Sequence, residues 1–237
     1  EQKAADVYLK SMEATKDLSN FSVDMKLNQT IDQNGESFEM MSSVKMDAIV
    51  KPEIAFMMDS TSELMGQTIQ LKMYLTKDGF FMQEPTSGMW MKLPEDQMDQ
   101  MLGQMDTEQM NPSRQLEQLK SFADDLAVTE NGDTYRLTLS ADGDKMKEFI
   151  ALQMKNQSPE QAQLMEESMA SMKLNKVEYT FEVDKKTYYP TSIKMNMDFE
   201  FDAEGQKLHM IMEIDGTYAN YNEIGEIMLP EEALAAE

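Results

Sequence analysis

Cysteine is absent from the 237 residues, so the chain has no disulfide, no thiolate-bound metal and no thiol nucleophile. Histidine occurs once, at position 209, which excludes a site built from clustered imidazoles. Apolar runs are only a few residues long, far short of the roughly 20 that carry a helix across a bilayer. Basic residues are outnumbered, 21 against 44 acids, for a net charge of −23, and they gather into no cluster or stripe. A field of that sign repels phosphate backbones and anionic headgroups. It argues against nucleic acid as a partner and against direct electrostatic adhesion to a membrane, and its simplest effect is solubility. No Gly-rich phosphate loop, HExxH pattern or EF-hand spacing is present. No Gly-, Ser- or Pro-rich segment is long enough to serve as a linker between domains, so residues 1–237 are expected to form one domain. The chain opens Glu1-Gln2-Lys3 without methionine. A removed signal peptide would leave that start, and so would a cloning boundary.

What is present is a change of period along the chain. Residues 3–18 carry Val7, Ser11, Ala14 and Leu18 on one helical face. From 20 to 93 the period is two, a long meander. Val23, Met25 and Leu27 alternate up to Asn34-Gly35, a strong hairpin signal. Phe38, Met40, Ser42, Val44, Met46, Ala48 and Val50 then share one face. Ile69, Leu71, Met73 and Leu75 repeat it before the Asp78-Gly79 turn. Residues 94–126 read as helices, with Asn111 capping a helix that begins at Pro112 and buries Leu116, Leu119, Ala123 and Leu126. A hairpin is expected over 127–140 and a second helical pair over 143–172, its latter member opened by the Ser158-Pro159-Glu160-Gln161 capping box. A last meander spans 174–221, where Ile193, Met195, Met197, Phe199 and Phe201 alternate, matched by Leu208, Met210, Met212 and Ile214. The pattern is α+β. It predicts one strongly curved antiparallel sheet, an unclosed half-barrel that is wet on one side, with helices over the concave apolar face.

Chemistry-bearing sets are scarce. Alternation puts His209 on the polar side of its strand, as a solvent-facing residue; a Ser/His/Asp triad is the other use an imidazole there could have. Acid pairs such as Asp124-Asp125 and Glu166-Glu167 arise readily among so many carboxylates and belong on solvated faces. The 26 methionines are the unusual signal. Thioether side chains are flexible and polarisable, so a face rich in them adapts to ligands of varied shape, or simply fills a core. Met98, Met101, Met105 and Met110 have spacings that soft Cu(I) could use, yet the first three also form an ordinary inward helical stripe.

Two segments resemble a known group. Lys77-Asp78-Gly79-Phe80-Phe81 followed by Gly88-Met89-Trp90-Met91-Lys92-Leu93-Pro94 is similar to the strand–turn–strand of LolA/LppX-like lipoproteins, with their K-D-G-aromatic turn and G-x-W-x-K strand. Tyr218 to Pro230 resembles the closing strand and proline segment of the same group, and more narrowly of its Bacillus-type surface lipoproteins. The resemblance implies an unclosed barrel whose hollow holds lipids, acylated proteins or glycolipids. It also implies an extracytoplasmic protein tied to the membrane by a lipidated cysteine outside this sequence. It brings no catalytic set, and Trp90 is its one positional match, more as a packing residue than as a ligand contact.

The expected function is therefore non-enzymatic binding of a hydrophobic ligand, a lipid or acyl chain. The hollow is expected to be lined by Met25, Leu27, Met40, Val44, Met46, Leu71, Met73, Trp90, Met195, Met197, Phe199, Met210 and Met212. No cofactor and no metal ligand set is expected, and helices over 98–118, rich in Met and Gln, are candidate moving parts. The alternatives are an envelope protein whose half-barrel is filled by its own side chains, and a Met-rich copper holder.

Overall fold

A computed structural model of the chain describes residues 3–104, 111–140, 143–155, 171–203 and 205–236. The first hairpin forms where alternation and turn chemistry agree. β1 (Asn20–Gln33) runs into β2 (Glu36–Ile49) through Asn34 and Gly35 at φ 53° and 84°. Asn and Gly tolerate that left-handed geometry better than other residues, and it matches the twist of the flanking strands. The register then holds from Gln33↔Glu36 to Asn20↔Ile49. Met65 and Gly66 turn β3 (Ala55–Leu64) into β4 (Gln67–Thr76) with similar φ values, 52° and 78°. β5 (Gly79–Gln83) and the three-residue β6 (Trp90–Lys92) complete the first meander.

β7 (Leu126–Asn131) and β8 (Thr134–Leu139) form the expected short hairpin. β9 (Lys173–Asp184), β10 (Pro190–Ala203) and β11 (Gln206–Ala219) form the last meander. β11 pairs with β1 from Ser22↔Ala219 to Gln33↔Leu208, which joins the two meanders. The result is one 11-stranded antiparallel sheet in the order β6-β5-β4-β3-β2-β1-β11-β10-β9-β8-β7. Its outermost strands, β6 and β7, are not paired with each other, so the sheet bends without closing.

Helices cover one end of the apolar face. α1 (Ala4–Thr15) is shorter than the periodicity suggests and fully buries Val7 and Tyr8. The Tyr8 hydroxyl donates to the Leu116 carbonyl of α3 (Pro112–Gln118). Asn111 caps α3 as expected, its side chain accepting from the Ser113 N–H. The helix does not run on to Leu126. It gives way to a 3-10 turn over Lys120–Asp125, and Leu126 begins β7. A 3-10 turn eclipses i and i+3, so Leu116, Leu119 and Phe122 point inward, and Ala123 is only partly buried. α2 (Glu95–Gln104) lies against β5, and α4 (Gly143–Lys155) against β9. The helix expected to open at Ser158 falls on residues 156–170, outside the described residues; Ser171 and Met172 already lead into β9. Met105, Met110, Glu166 and Glu167 also lie outside them.

The chain end is latched onto the start of β1. The Asn222 side chain accepts from the Ser19 N–H at 2.9 Å, and the Ile224 N–H donates to the Asn20 side chain at 2.9 Å. Tyr221 stacks on Tyr189 at 4.6 Å and donates to the Pro190 carbonyl at 2.6 Å. Much of the Tyr218–Pro230 segment is thus a clasp before the short α5 (Glu231–Leu234).

Candidate functional site

Because strand side chains alternate, register decides which residues share a face. One row crosses Leu126, Leu139, Tyr179, Met195, Ile214, Leu27 and Ser42 on successive strands. The next runs Leu137, Phe181, Ile193, Gly216, Met25, Val44, Ser60 and Leu71. Met197, Met212, Gln29 and Met40 form another, and Phe199, Met210, Ile31 and Phe38 a fourth. Met46 and Met73 flank Met58 in a fifth. All the sequence-predicted pocket residues except Trp90 therefore lie on one face of the sheet.

Trp90 is the correction. β6 pairs with β5 as Gln83↔Trp90 and Met82↔Met91, so Met91 continues the apolar face and Trp90 points the other way. There its ring packs edge-on against Tyr74 at 5.6 Å. It braces the outer side of the sheet near its short edge and does not line the inner face. A short strand after a loop gives too little alternation to fix its face from sequence.

The inner face is divided lengthwise. At the end under α1 and α3, Phe21, Val23, Met46, Ala48, Phe56, Met58, Met73 and Phe80 are buried in one continuous core with Val7, Tyr8, Leu116, Leu119 and Phe122. Packing there is close: the cavity lined by Pro112, Leu116, Tyr179, Phe181, Ile193 and Tyr218 holds only about 10 Å³. Phe149 of α4 meets Phe122 and Tyr179 edge-on at 5.5 and 5.1 Å.

Toward the Asn34-Gly35 tip the face changes character. Met197, Phe199 and Phe201 of β10 form a smaller cluster with Ile150 and Met172. Beside them Leu27, Gln29, Ile31, Phe38, Met40, Met195, Met210 and Met212 are only half-buried. Of the predicted residues, Leu27, Met40, Met195, Met210 and Met212 lie in this half-buried band and Met197 and Phe199 in the buried cluster beside it. Met25, Val44 and Leu71 lie at its border, and Met46 and Met73 belong to the sealed core. Sequence reasoning missed Gln29, whose polarity breaks the β1 pattern. Its amide donates to the Met210 sulfur at 3.2 Å, so the band carries a polar amide among thioethers and alkyl chains, with Ser42 beside Leu27 at its margin.

The opposite face is polar and contains a trough of about 580 Å³ bordered by Asp24, Lys26, Arg136, Glu182, Lys194 and Asp215. His209 lies on this face, as alternation predicts, with Nε2 2.6 Å from Asp198 and Nδ1 3.2 Å from Asp32. Both ring nitrogens are engaged by carboxylates, leaving neither to activate a hydroxyl, which removes the triad reading. Among the described residues no group of three or more His, Cys, Asp or Glu side chains could hold a metal ion. No described helix is long and apolar enough to cross a membrane.

The chain is similar, at low identity, to several solved structures. LprF from Mycobacterium bovis is 11% identical over 97% of both chains, with a TM-score of 0.46. The MucA/MucB complex from Pseudomonas aeruginosa gives 10% identity over 99% of this chain and 61% of that one, with a TM-score of 0.28. A LolA superfamily protein from Nitrosomonas europaea gives 9% identity over 98% and 97%, with a TM-score of 0.21. No curated protein matches the chain. A family model described as a family of unknown function, DUF6612, matches residues 3–237.

Proposed function

The chain belongs to the DUF6612 family, and from that premise we propose that it is a non-enzymatic, extracytoplasmic lipoprotein that holds a lipid or acyl chain against its far band. The observation that supports this is the division of the apolar face. One half is sealed by α1, α3 and the 3-10 turn, while the half lined by Leu27, Met40, Met210 and Met212 is left half-buried by the described residues. Half-buried apolar surface of that extent favours a partner that covers it, and thioethers adapt to a flexible acyl chain. Gln29 supplies a polar group that an ester or carboxyl of the ligand can meet. Anchoring by a lipidated cysteine outside this sequence belongs to the same proposal and is supported by the motif resemblance alone.

Native mass spectrometry with lipid extraction tests the reading on protein purified from a bacterial host. A bound acyl species in fixed stoichiometry is expected. A bare mass that stays bare when lipids are added back would sink the proposal. It would favour a second reading, an envelope protein filled by its own side chains, for which the close packing under α3 is the supporting observation.

A further inference from the structure

Five methionines occupy one cross-strand row of the inner face. Met46 stands opposite Met58, Met58 opposite Met73, Met73 opposite Met82 and Met82 opposite Met91, on β2 through β6 in order. The row starts in the core, where Met46 is 2% exposed, and ends on the sheet edge, where Met91 is 40% exposed. No charged side chain interrupts it. A helix contributes as well: Met98 of α2 packs on the same core cluster.

Packing alone is a poor reason for this composition. Strand interiors favour β-branched and aromatic side chains, and methionine, with three free torsions, specifies a core weakly. Directly opposed side chains on neighbouring strands have Cβ atoms about 4.5–5.5 Å apart, so flexible thioether arms from two or three strands can converge on one point. Thioether sulfur is a soft, neutral donor that selects Cu(I) over hard cations. We propose that Met73, Met82 and Met91 form a binding site for Cu(I) at the β6 edge of the sheet.

The outer end of the row suits an ion better than the inner end. Neutral ligands leave the positive charge uncompensated, which is costly in a dry core, whereas Met91 keeps one side of the site in contact with water. β6 is an outermost strand only three residues long; α5 packs against β6 and β5, yet Met91 stays 40% exposed, so an ion can reach its sulfur without the sheet opening. The chain's charge of −23 raises the local concentration of any cation. This site is separate from the far band, so each can fail without the other.

The test is an anaerobic titration of the whole protein with Cu(I) delivered as its bicinchoninate complex, with Met82→Leu and Met91→Leu beside Met65→Leu and Met228→Leu. Leucine keeps the apolar volume and removes only the sulfur, and circular dichroism checks each fold. One bound ion is expected, with affinity falling on the order of tenfold or more for Met82→Leu and for Met91→Leu and unchanged in the two exposed controls. In the wild type, carbon-13 labelled methionine methyls of Met73, Met82 and Met91 should shift with Cu(I), which reads the site even if a variant misfolds. No binding, binding that Met82→Leu and Met91→Leu leave intact, or shifts confined to other methionines would overturn the assignment.

Discussion

His209 and Asp198 sit 2.6 Å apart on neighbouring strands, β11 and β10, and the other ring nitrogen of His209 reaches Asp32 of β1 at 3.2 Å. One imidazole therefore stitches three strands together on the polar face, directly behind Ile31, Phe199 and Met210 of the far band. The Asp198 hydrogen bond raises the imidazole pKa above its ordinary value, against partial desolvation, and Asp32 adds to the rise. Asp32 is held below the usual carboxylate value by hydrogen bonds from Ser37 and then His209. For Asp198 burial pulls upward, but hydrogen bonds from Asn175 and His209, with the charges of His209 and Lys176, outweigh it and leave it lowered. Glu200, opposite His209 in register, adds a further negative charge nearby.

The first prediction is a window of pH. A raised imidazole contributes stability that is complete below its ordinary value of 6.5 and is lost as pH rises through the higher folded value. The lowered carboxylates contribute above their ordinary 3.8 and lose that contribution as pH falls through the lower folded values. The cluster should therefore help most between those two ordinary values. Thermal melts at about pH 6 and about pH 8.5 should show a drop for the wild type that His209→Gln reduces. Equal drops in both proteins would mean the cluster is not coupled to folding.

How much of this is legible in sequence depends on strand length. β1, β2, β10 and β11 each carry a dozen or more residues, so alternation identifies their inner faces and places His209 outward. β6, with three residues, offers no such pattern, and Trp90 falls on the face opposite to the one expected. That the two meanders share one sheet follows from sequence, since both have an apolar face to bury; that they join through β1 and β11 is shown only by the register. The end of α3 at Gln118 does not, because a 3-10 turn and an α-helix place apolar residues at nearly the same spacing. Nor can sequence alone show that helices seal one half of the sheet while the described residues leave the other half-buried; that division depends on where α1, α3 and α4 dock.

A second prediction concerns Gly216, which faces inward between β1 and β10. A Cβ there would lie 2.7 Å from Ile193 Cγ2 and 3.2 Å from Met25 Cε. The methionine tip can swing aside, but Cγ2 of a β-branched residue is fixed by χ1. Gly216→Ala should therefore destabilise by about 1–3 kcal/mol, the usual cost of overpacking, read from urea denaturation. Adding Ile193→Ala should cost less than the two single changes summed, because the second removes the atom that the first collides with.

A third prediction tests the clamp between α1 and α3. Tyr8 is fully buried, and burial first, then the nearby Glu117 charge, pushes its phenol pKa far up, so it acts only as a neutral donor. Tyr8→Phe removes the hydrogen bond to the Leu116 carbonyl but not the ring. That carbonyl also accepts from the Leu119 N–H at 3.0 Å, so it is not orphaned and the loss should be modest, about 1 kcal/mol. Amide exchange should quicken in α1 and α3 before the central strands respond. Uniform quickening across the sheet would show that the pair is not a local clamp.

The last prediction separates the two halves of the apolar face by what a substitution disturbs. Phe149 is fully buried between Phe122 and Tyr179, so Phe149→Ala leaves a cavity and should cost about 3–5 kcal/mol. Met212 lies in the half-buried band beside Gln29. A lysine there keeps its stem on the apolar surface and carries its charge outward, so Met212→Lys should lower stability by only about 1 kcal/mol. Its effect should instead fall on the co-purified acyl species, because an ammonium group placed where alkyl chain should lie has no partner in the complex. If Met212→Lys unfolds the protein as Phe149→Ala does, the band is core and the filled-sheet reading gains. Wild-type-like folding with the ligand lost would put the acyl chain on the far band, since a filled core has no way to lose a ligand while keeping its stability.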